Sequence, residues 1–264
     1  MFRRLLAPAL FLVSLSACAQ PATPPAAARS AARPAAAAAR PATPAAGPAA
    51  PAARRPAPAP AMAPRVGIDY EVLPAAQPTY GQGKIEVAEV FSYRCIHCAE
   101  FQPTVNAWKK TLPADVRWEY VPGVFGGSWD DFARAYFAAE ILGVQARTHD
   151  AVFKGVFVDQ LIKTGSPEEI AGMYGKWGVD SAKFLSTMQS FGVTAKLNRA
   201  RQFSLRTGVN ATPTIIVNGK YRVNVTKDRG FDGMVSTVNY LVGKERAEAK
   251  SAPAAGKPAP AKKA

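Results

Sequence analysis

Two cysteines separated by two residues, Cys95-Ile96-His97-Cys98, are the part of this 264-residue chain whose types and spacing can do redox chemistry. The spacer lets one sulfur reach the other and close a small ring, so the pair can pass between dithiol and disulfide. An apolar, β-rich run, Ile85-Glu86-Val87-Ala88-Glu89-Val90-Phe91, precedes the motif, and a helical stretch from Ala99 to about Thr111 follows it. Strand, C-x-x-C and helix in that order place the first cysteine at a helix N-terminus. Unpaired backbone N–H groups and the helix dipole there favour a thiolate. A thiolate is the species that attacks a disulfide. A zinc site would need two more ligands, and the chain has no second C-x-x-C and no H-x-x-H. A c-type haem would need His directly after the second cysteine, where Ala99 stands. A purely structural disulfide is the other use open to the pair.

The elements that must hold this motif follow from periodicity. Gly67–Leu73 alternates enough for an edge strand, and Lys84–Ser92 reads as the central strand. Val116–Val121 alternates again and ends at Pro122-Gly123. The period then becomes helical. Ser128 with Asp131 suggests a capping box, Gly143 a C-cap, and helices are expected over about 147–158, 166–174, 181–190 and 194–207. Ser166-Pro167 is a helix start with Pro in the first turn. Strand signals return at Thr214–Val217 and Lys220–Val225 around Asn218-Gly219, a hairpin turn, and Phe231–Val242 closes as an amphipathic helix. The order predicts an α/β fold: a thioredoxin-like sheet with an inserted helical domain over about residues 125–207. Glu89 falls among apolar residues of a strand. A carboxylate buried there is costly without a partner or a role, and desolvation raises its pKa. A lysine across the sheet is the bland alternative. His149 reads as a surface residue of its helix.

Composition sets the outer limits. Residues 66–245 carry 20 Lys+Arg against 18 Asp+Glu, so most of the formal net charge of +14 lies outside them. The basic surplus belongs to Ala/Pro-rich flanks, which argues against a nucleic-acid-binding face on the folded part. Residues 18–64 read as a disordered tether and 246–264 as a disordered basic tail, because neither has the apolar side chains to offset ordering. The domain is expected over 65–245. Residues 1–17 read as a secretory signal with a basic start and a short apolar stretch. Leu15-Ser16-Ala17-Cys18 resembles the lipobox of bacterial lipoproteins, which implies a lipid anchor on Cys18. An ordinary signal cut near Ala17 or Ala19 is the alternative. With Cys18 used as an anchor, the mature domain keeps one cysteine pair, and export puts it in an oxidising compartment.

The run Val87–Cys98, the helical block, and Gly208-Val209-Asn210-Ala211-Thr212-Pro213 with Asn218-Gly219-Lys220-Tyr221 resemble the DsbA family of thiol:disulfide oxidoreductases over nearly all of residues 66–245. The resemblance implies Cys95 as nucleophile and Cys98 as a more buried resolving partner. It implies proton transfer near the buried cysteine for Glu89, and a cis-proline at Pro213 that pairs with an extended substrate, with Thr212 touching the Cys95 sulfur. His97 can stabilise the Cys95 thiolate and so the dithiol form, which makes the disulfide a stronger oxidant. Ile96 stands where the family most often has Pro, and Arg94 where it often has an aromatic; a cation there either lowers the thiol pKa or is merely exposed.

The expected function is disulfide introduction into unfolded exported proteins with free thiols, with no organic cofactor and no metal. A DsbB-type quinone-linked membrane oxidase would restore the disulfide. The protein is expected to be a periplasmic monomer, held to a membrane through lipidated Cys18. A reductase or isomerase of the same fold is the alternative within the class, although isomerases usually carry a separate dimerisation domain. A tethered chaperone-like lipoprotein with a structural disulfide is the alternative outside it.

Overall fold

The computed structural model describes residues 63–251. The signal segment, Cys18 and nearly all of the tether lie outside the described residues, as does the tail beyond Ser251.

Five strands form one sheet in the order β1-β5-β4-β2-β3. They are β1 (Tyr70–Val72), β2 (Ile85–Phe91), β3 (Val116–Pro122), β4 (Thr214–Val217) and β5 (Tyr221–Asn224). β2 and β3 are parallel, as a strand–helix–strand crossover requires. β4 pairs antiparallel with β2 and with β5, and β1 closes the far edge against β5. The middle strand is therefore β4, not the Lys84–Ser92 segment. β2 is nevertheless interior, paired on both sides, and its last six residues are buried.

Alternation along β2 divides the core. Val87 packs with Phe101, Val105, Met234 and Leu241, under helices α1 (Ile96–Lys109) and α7 (Gly230–Ser251). Ala88 and Val90 face the opposite layer with Phe132, Phe153, Tyr174 and Phe203. That layer comes from the insertion: α2 (Ser128–Ile141), α3 (Gln145–Phe157), α4 (Pro167–Gly175), α5 (Ser181–Met188) and α6 (Phe191–Arg206). Ser166, Asp180 and Ser190 each accept a backbone N–H at the start of α4, α5 and α6. These caps sharpen the turns that fold the insertion back on itself.

Four local expectations are corrected. Ser128 does not cap α2. Gly126 and Gly127, both at positive φ, turn the chain so that Gly127 is the cap and Ser128 the first helical residue. Asp130 receives the Gly126 N–H at 2.8 Å instead. Helix α1 begins three residues earlier than expected, at Ile96, with Cys95 as its cap. His149 is not on the surface. It lies on the inner side of α3, only 4% exposed, among the rings of Phe91, Tyr93, Tyr120 and Phe153, and Tyr93 Oη lies 2.8 Å from its Nδ1. Burial holds its pKa down at about 3, so the imidazole is neutral. Finally, α7 passes both its expected end at Val242 and the expected end of the domain at Glu245, reaching Ser251. Glu245 accepts from Asn218 and Lys220, Lys220 also reaches Glu248, and Arg246 pairs with Asp115 through two nitrogens. Polar contacts, not apolar burial, hold those last turns, and composition alone does not reveal them.

Candidate active site

The Cys95-Ile96-His97-Cys98 turn sits at the end of β2, where the sheet hands the chain to α1. Cys95 is extended (φ −99°, ψ 113°) and caps the helix, its sulfur accepting the Cys98 N–H at 3.4 Å. Both cysteines are free thiols, so the geometry is that of the reduced state. The Cys95 thiol also donates to the Thr212 carbonyl at 3.3 Å. Thr212-Pro213 is a cis peptide, and β4 starts at the next residue. The structure thus brings Cys95, Cys98, Thr212 and Pro213 together from β2, α1 and the approach to β4.

The two sulfurs differ in setting. Cys95 is 8% exposed and Cys98 is fully buried. The Cys95 pKa is drawn down to about 6, first by the Cys98 thiol and then, against the effect of burial, by Thr212 and the N–H groups of Cys98 and His97. Burial pushes the Cys98 thiol up, and its bond to Cys95 and the charge of Glu89 push the same way. One sulfur is therefore a thiolate at neutral pH and the other a thiol.

His97 contributes its backbone N–H to this balance. Its imidazole is exposed and pairs with Glu100 at 3.0 Å, which raises the imidazole pKa. Arg94 is exposed, and its guanidinium lies beside Gly165 of the inserted domain. The influences that favour the Cys95 thiolate are the Cys98 thiol, the Thr212 side chain and the backbone N–H groups of the helix terminus.

Glu89 lies on the α1 face of β2, one strand position from Val90 and 1% exposed. Its Oε2 has no hydrogen-bond partner among the described residues. Glu86, three residues earlier and equally buried, offers a contrast. It accepts from the N–H groups of Tyr80 and Gly81 and pairs with Arg117. A structural acid in this strand is thus fully satisfied, whereas Glu89 is left open. Desolvation raises the Glu89 pKa to about 8, with Lys109 opposing and Cys95 adding. A half-buried cation of α1, not a lysine across the sheet, is the charge that faces it. Lys109 was not singled out from the sequence, yet Cys98, Gln102, Val105 and Lys109 follow helical spacing and could have marked it. The Lys109 ammonium sits 4.5 Å over the ring of Tyr120, the residue paired with Glu89 on β3. A group titrating near neutrality beside a buried thiol can take or return its proton.

Beside His97, Val225, Thr226, Gly230 and Phe231 line an open groove of about 300 Å³, and Phe231 stacks on Phe101 of α1. Among the described residues no cluster of acids, histidines and cysteines could hold a metal ion. No helix there is long and apolar enough to cross a membrane.

Comparison with known proteins agrees with this geometry. A thioredoxin family model matches residues 77–238. The thiol:disulfide interchange protein DsbA of Pseudomonas aeruginosa is 38% identical over 184 residues, 70% of this chain and 87% of that protein. The DsbA of Azotobacter vinelandii is 35% identical, over 69% of this chain and 85% of its own. Among solved structures, the oxidoreductase DsbA from Xylella fastidiosa superposes with a TM-score of 0.65 at 40% identity, covering 70% of this chain and 98% of that one. Pseudomonas aeruginosa DsbA gives 0.67 at 37% identity, covering 71% and 97%.

Proposed function

This chain belongs to the DsbA family of thiol:disulfide oxidoreductases, and we propose on that basis that Cys95 exchanges with client thiols while Cys98 is the buried partner that leaves in that exchange and resolves it in the reverse direction. The family's reaction introduces disulfides into other proteins. A client thiolate attacks Cys95 Sγ of the oxidised enzyme. The Cys95–Cys98 bond breaks, a client–Cys95 bond forms, and Cys98 leaves with the electron pair and takes up a proton. A second client thiolate then attacks its neighbour's sulfur, and Cys95 leaves as a thiolate. The client is oxidised by two electrons and the enzyme is reduced to the dithiol.

The observation that carries this reading is the asymmetry of the pair: Cys95 is held near a pKa of about 6 at the helix terminus, and Cys98 is buried and protonated. A stabilised thiolate makes Cys95 a good leaving group and favours the reduced enzyme, so the disulfide is a strong oxidant. Glu89 is the proton acceptor and donor for Cys98, supported by its unpartnered buried oxygen and a pKa near neutrality. His97 adds to thiolate stability mainly through its backbone. Thr212 and Pro213 present backbone to an extended client beside the sulfur.

The clients are unfolded exported proteins with free thiols, met in the periplasm by a monomeric enzyme. A DsbB-type quinone-linked membrane oxidase returns the electrons to the membrane and restores the disulfide. Cys18, outside the described residues, carries a lipid anchor. Mass spectrometry of the native N-terminus is expected to find diacylglycerol on it; a soluble form without acyl mass would rule the anchor out.

Equilibration of the Cys95–Cys98 pair with glutathione tests the oxidant role. The expected reduction potential lies closer to the roughly −120 mV of a strong oxidant of this family than to the roughly −270 mV of thioredoxin. A value near thioredoxin's would make the reductase reading the better one.

A further inference from the structure

Two exposed cations flank the Cys95 turn, and neither takes part in an ion pair among the described residues. Arg94 precedes the reactive cysteine, and its guanidinium lies beside Gly165 of the inserted domain. The charges acting on Asp131, in the first turn of α2, are those of Arg134, Asp130 and Glu168, and Arg94 is not among them. Lys227 lines the groove beside His97. In the run Lys227-Asp228-Arg229 the other two charges are engaged, Asp228 with Arg65 at 2.7 Å and Arg229 with Asp69 at 3.0 Å. The nearby acids leave these cations free. Glu100 is held by the His97 imidazole, and Asp232 sits in the first turn of α7, where a helix N-terminus favours an acid, outside the lining of the groove. Neither Arg94 nor Lys227 is among the leading influences on the Cys95 thiol. Lysine and arginine nearly balance aspartate and glutamate over residues 66–245, so this rim is a local excess and not part of a general basic face.

We propose that Arg94 and Lys227 make the enzyme select client segments that carry a carboxylate close to the reacting cysteine. The inference rests on the disulfide-transfer reading above and names the class of segment the site prefers. Position carries it. Arg94 is bonded to Cys95 and Lys227 stands beside His97, so a client whose thiolate meets the Cys95 sulfur brings its neighbouring residues past both cations. An extended chain advances roughly 3.3 Å per residue, so a side chain about two positions from the client cysteine lies within one screening length, roughly 8 Å at physiological salt. A single exposed charge pair is weak, but an unpaired rim charge acts on the rate of encounter without first breaking a pair of its own. Aspartate or glutamate near the client cysteine is drawn in, and lysine or arginine there is repelled. Arg94 and Lys227 are specificity-determining residues, and they act on what approaches the sulfur.

The test uses reduced peptides with a cysteine pair in a flexible Gly/Ser context and with Glu, Gln or Lys about two residues from one cysteine. Oxidation by the disulfide form of the whole chain is followed by acid quench and mass. A neighbouring carboxylate also raises the pKa of the peptide's own thiol, so each rate is divided by that of the same peptide with a small neutral disulfide. At low salt the normalised kcat/KM is expected to fall from Glu through Gln to Lys, with Glu about tenfold above Lys. Raising the salt to about 0.5 M should bring that ratio toward one. Arg94→Gln should reduce it to about threefold and Arg94→Lys should keep it, while Arg94→Gln combined with Lys227→Gln should bring it to about one. A ratio near one in the unaltered protein, a ratio that high salt leaves in place, or one that Arg94→Gln leaves unchanged overturns the proposal. So does an Arg94→Lys chain that loses the ratio as fully as Arg94→Gln, because shape and not charge would then be read at that position. If no peptide is oxidised at all, the disulfide-transfer reading itself fails, a result distinct from the others.

Discussion

Cys95→Ser is expected to abolish disulfide transfer, by more than about a thousandfold, and to leave the fold intact. The hydroxyl has no redox chemistry, and no other cysteine among the described residues is exposed enough to replace the sulfur. The fold should not suffer, because position 95 is a helix cap with extended backbone and serine is among the best residues there. Cys98 predicts a different failure. With Cys98→Ser the Cys95 thiolate still attacks a disulfide, but nothing within the enzyme can release the product, so a client–Cys95 adduct should accumulate and be visible by mass. Cys98→Ala adds a further effect. It removes the thiol that is the largest influence holding the Cys95 pKa down at about 6, so that pKa should rise, whereas serine keeps a donor in place. Absorbance of the thiolate against pH reads this directly. Equal losses in the Cys95→Ser and Cys98→Ser chains, with no adduct in either, would contradict the division of roles between the two sulfurs.

The division itself is legible before any coordinates, because C-x-x-C after a buried strand and before a helix forces one sulfur to the helix end and the other into the first turn. Strand positions were equally legible. Val116, Trp118 and Tyr120 alternate with polar residues, and Asn218-Gly219, both at positive φ, mark the hairpin. Less legible was anything decided by which side of a helix meets the core. His149 lies in a stretch with apolar residues three and four positions on, Val152 and Phe153, and that spacing suits either an inward or a flanking imidazole. Only the packing of α3 on Phe91 and Tyr93 settles it. Lys109 was hidden for a related reason, since a lysine near a helix end is ordinarily solvated, and its ammonium here lies over the rings of Trp118 and Tyr120. The last turns of α7 escaped because Arg246, Glu248 and Lys250 among alanines resemble the polar flank that follows. Their partners, Asp115 and Lys220, are far away in sequence.

The stability of the oxidised and reduced chains is expected to diverge as pH rises from about 6 to about 9, the range between the folded and ordinary Cys95 pKa values. Glu89 acts in both states. Its folded pKa is raised from 4.5 to about 8, so between those values the folded chain holds a proton that the unfolded chain has lost. Stability from this group is complete below about 4.5 and falls as pH rises to about 8, by on the order of a few kcal/mol for a fully buried carboxyl. Cys95 acts only in the reduced chain, and with the opposite sign. Its folded pKa is lowered from 9.0 to about 6, so above about 6 the unfolded chain holds the extra proton and folding gains stability up to about 9. Beyond that point Cys98 reverses the trend, because it stays protonated in the fold while an unfolded thiol ionises. The oxidised chain should therefore lose stability steadily toward about pH 8, while the reduced chain is held up over the same range by the Cys95 thiolate. The gap between them is the thermodynamic measure of oxidising strength, so the disulfide should become the stronger oxidant, relative to an ordinary thiol pair held protonated, as pH rises through that window. Urea unfolding of both forms at several pH values measures it. Glu89→Gln should flatten the oxidised curve, because the amide does not titrate, and should keep most of the gap, which is set chiefly by the Cys95 sulfur and only secondarily by the charge coupling of Glu89 to the two cysteines. Parallel curves for the two redox states would mean that Cys95 titrates as an ordinary thiol, and a Glu89→Gln curve as steep as the unaltered one would mean that Glu89 is ionised in the fold.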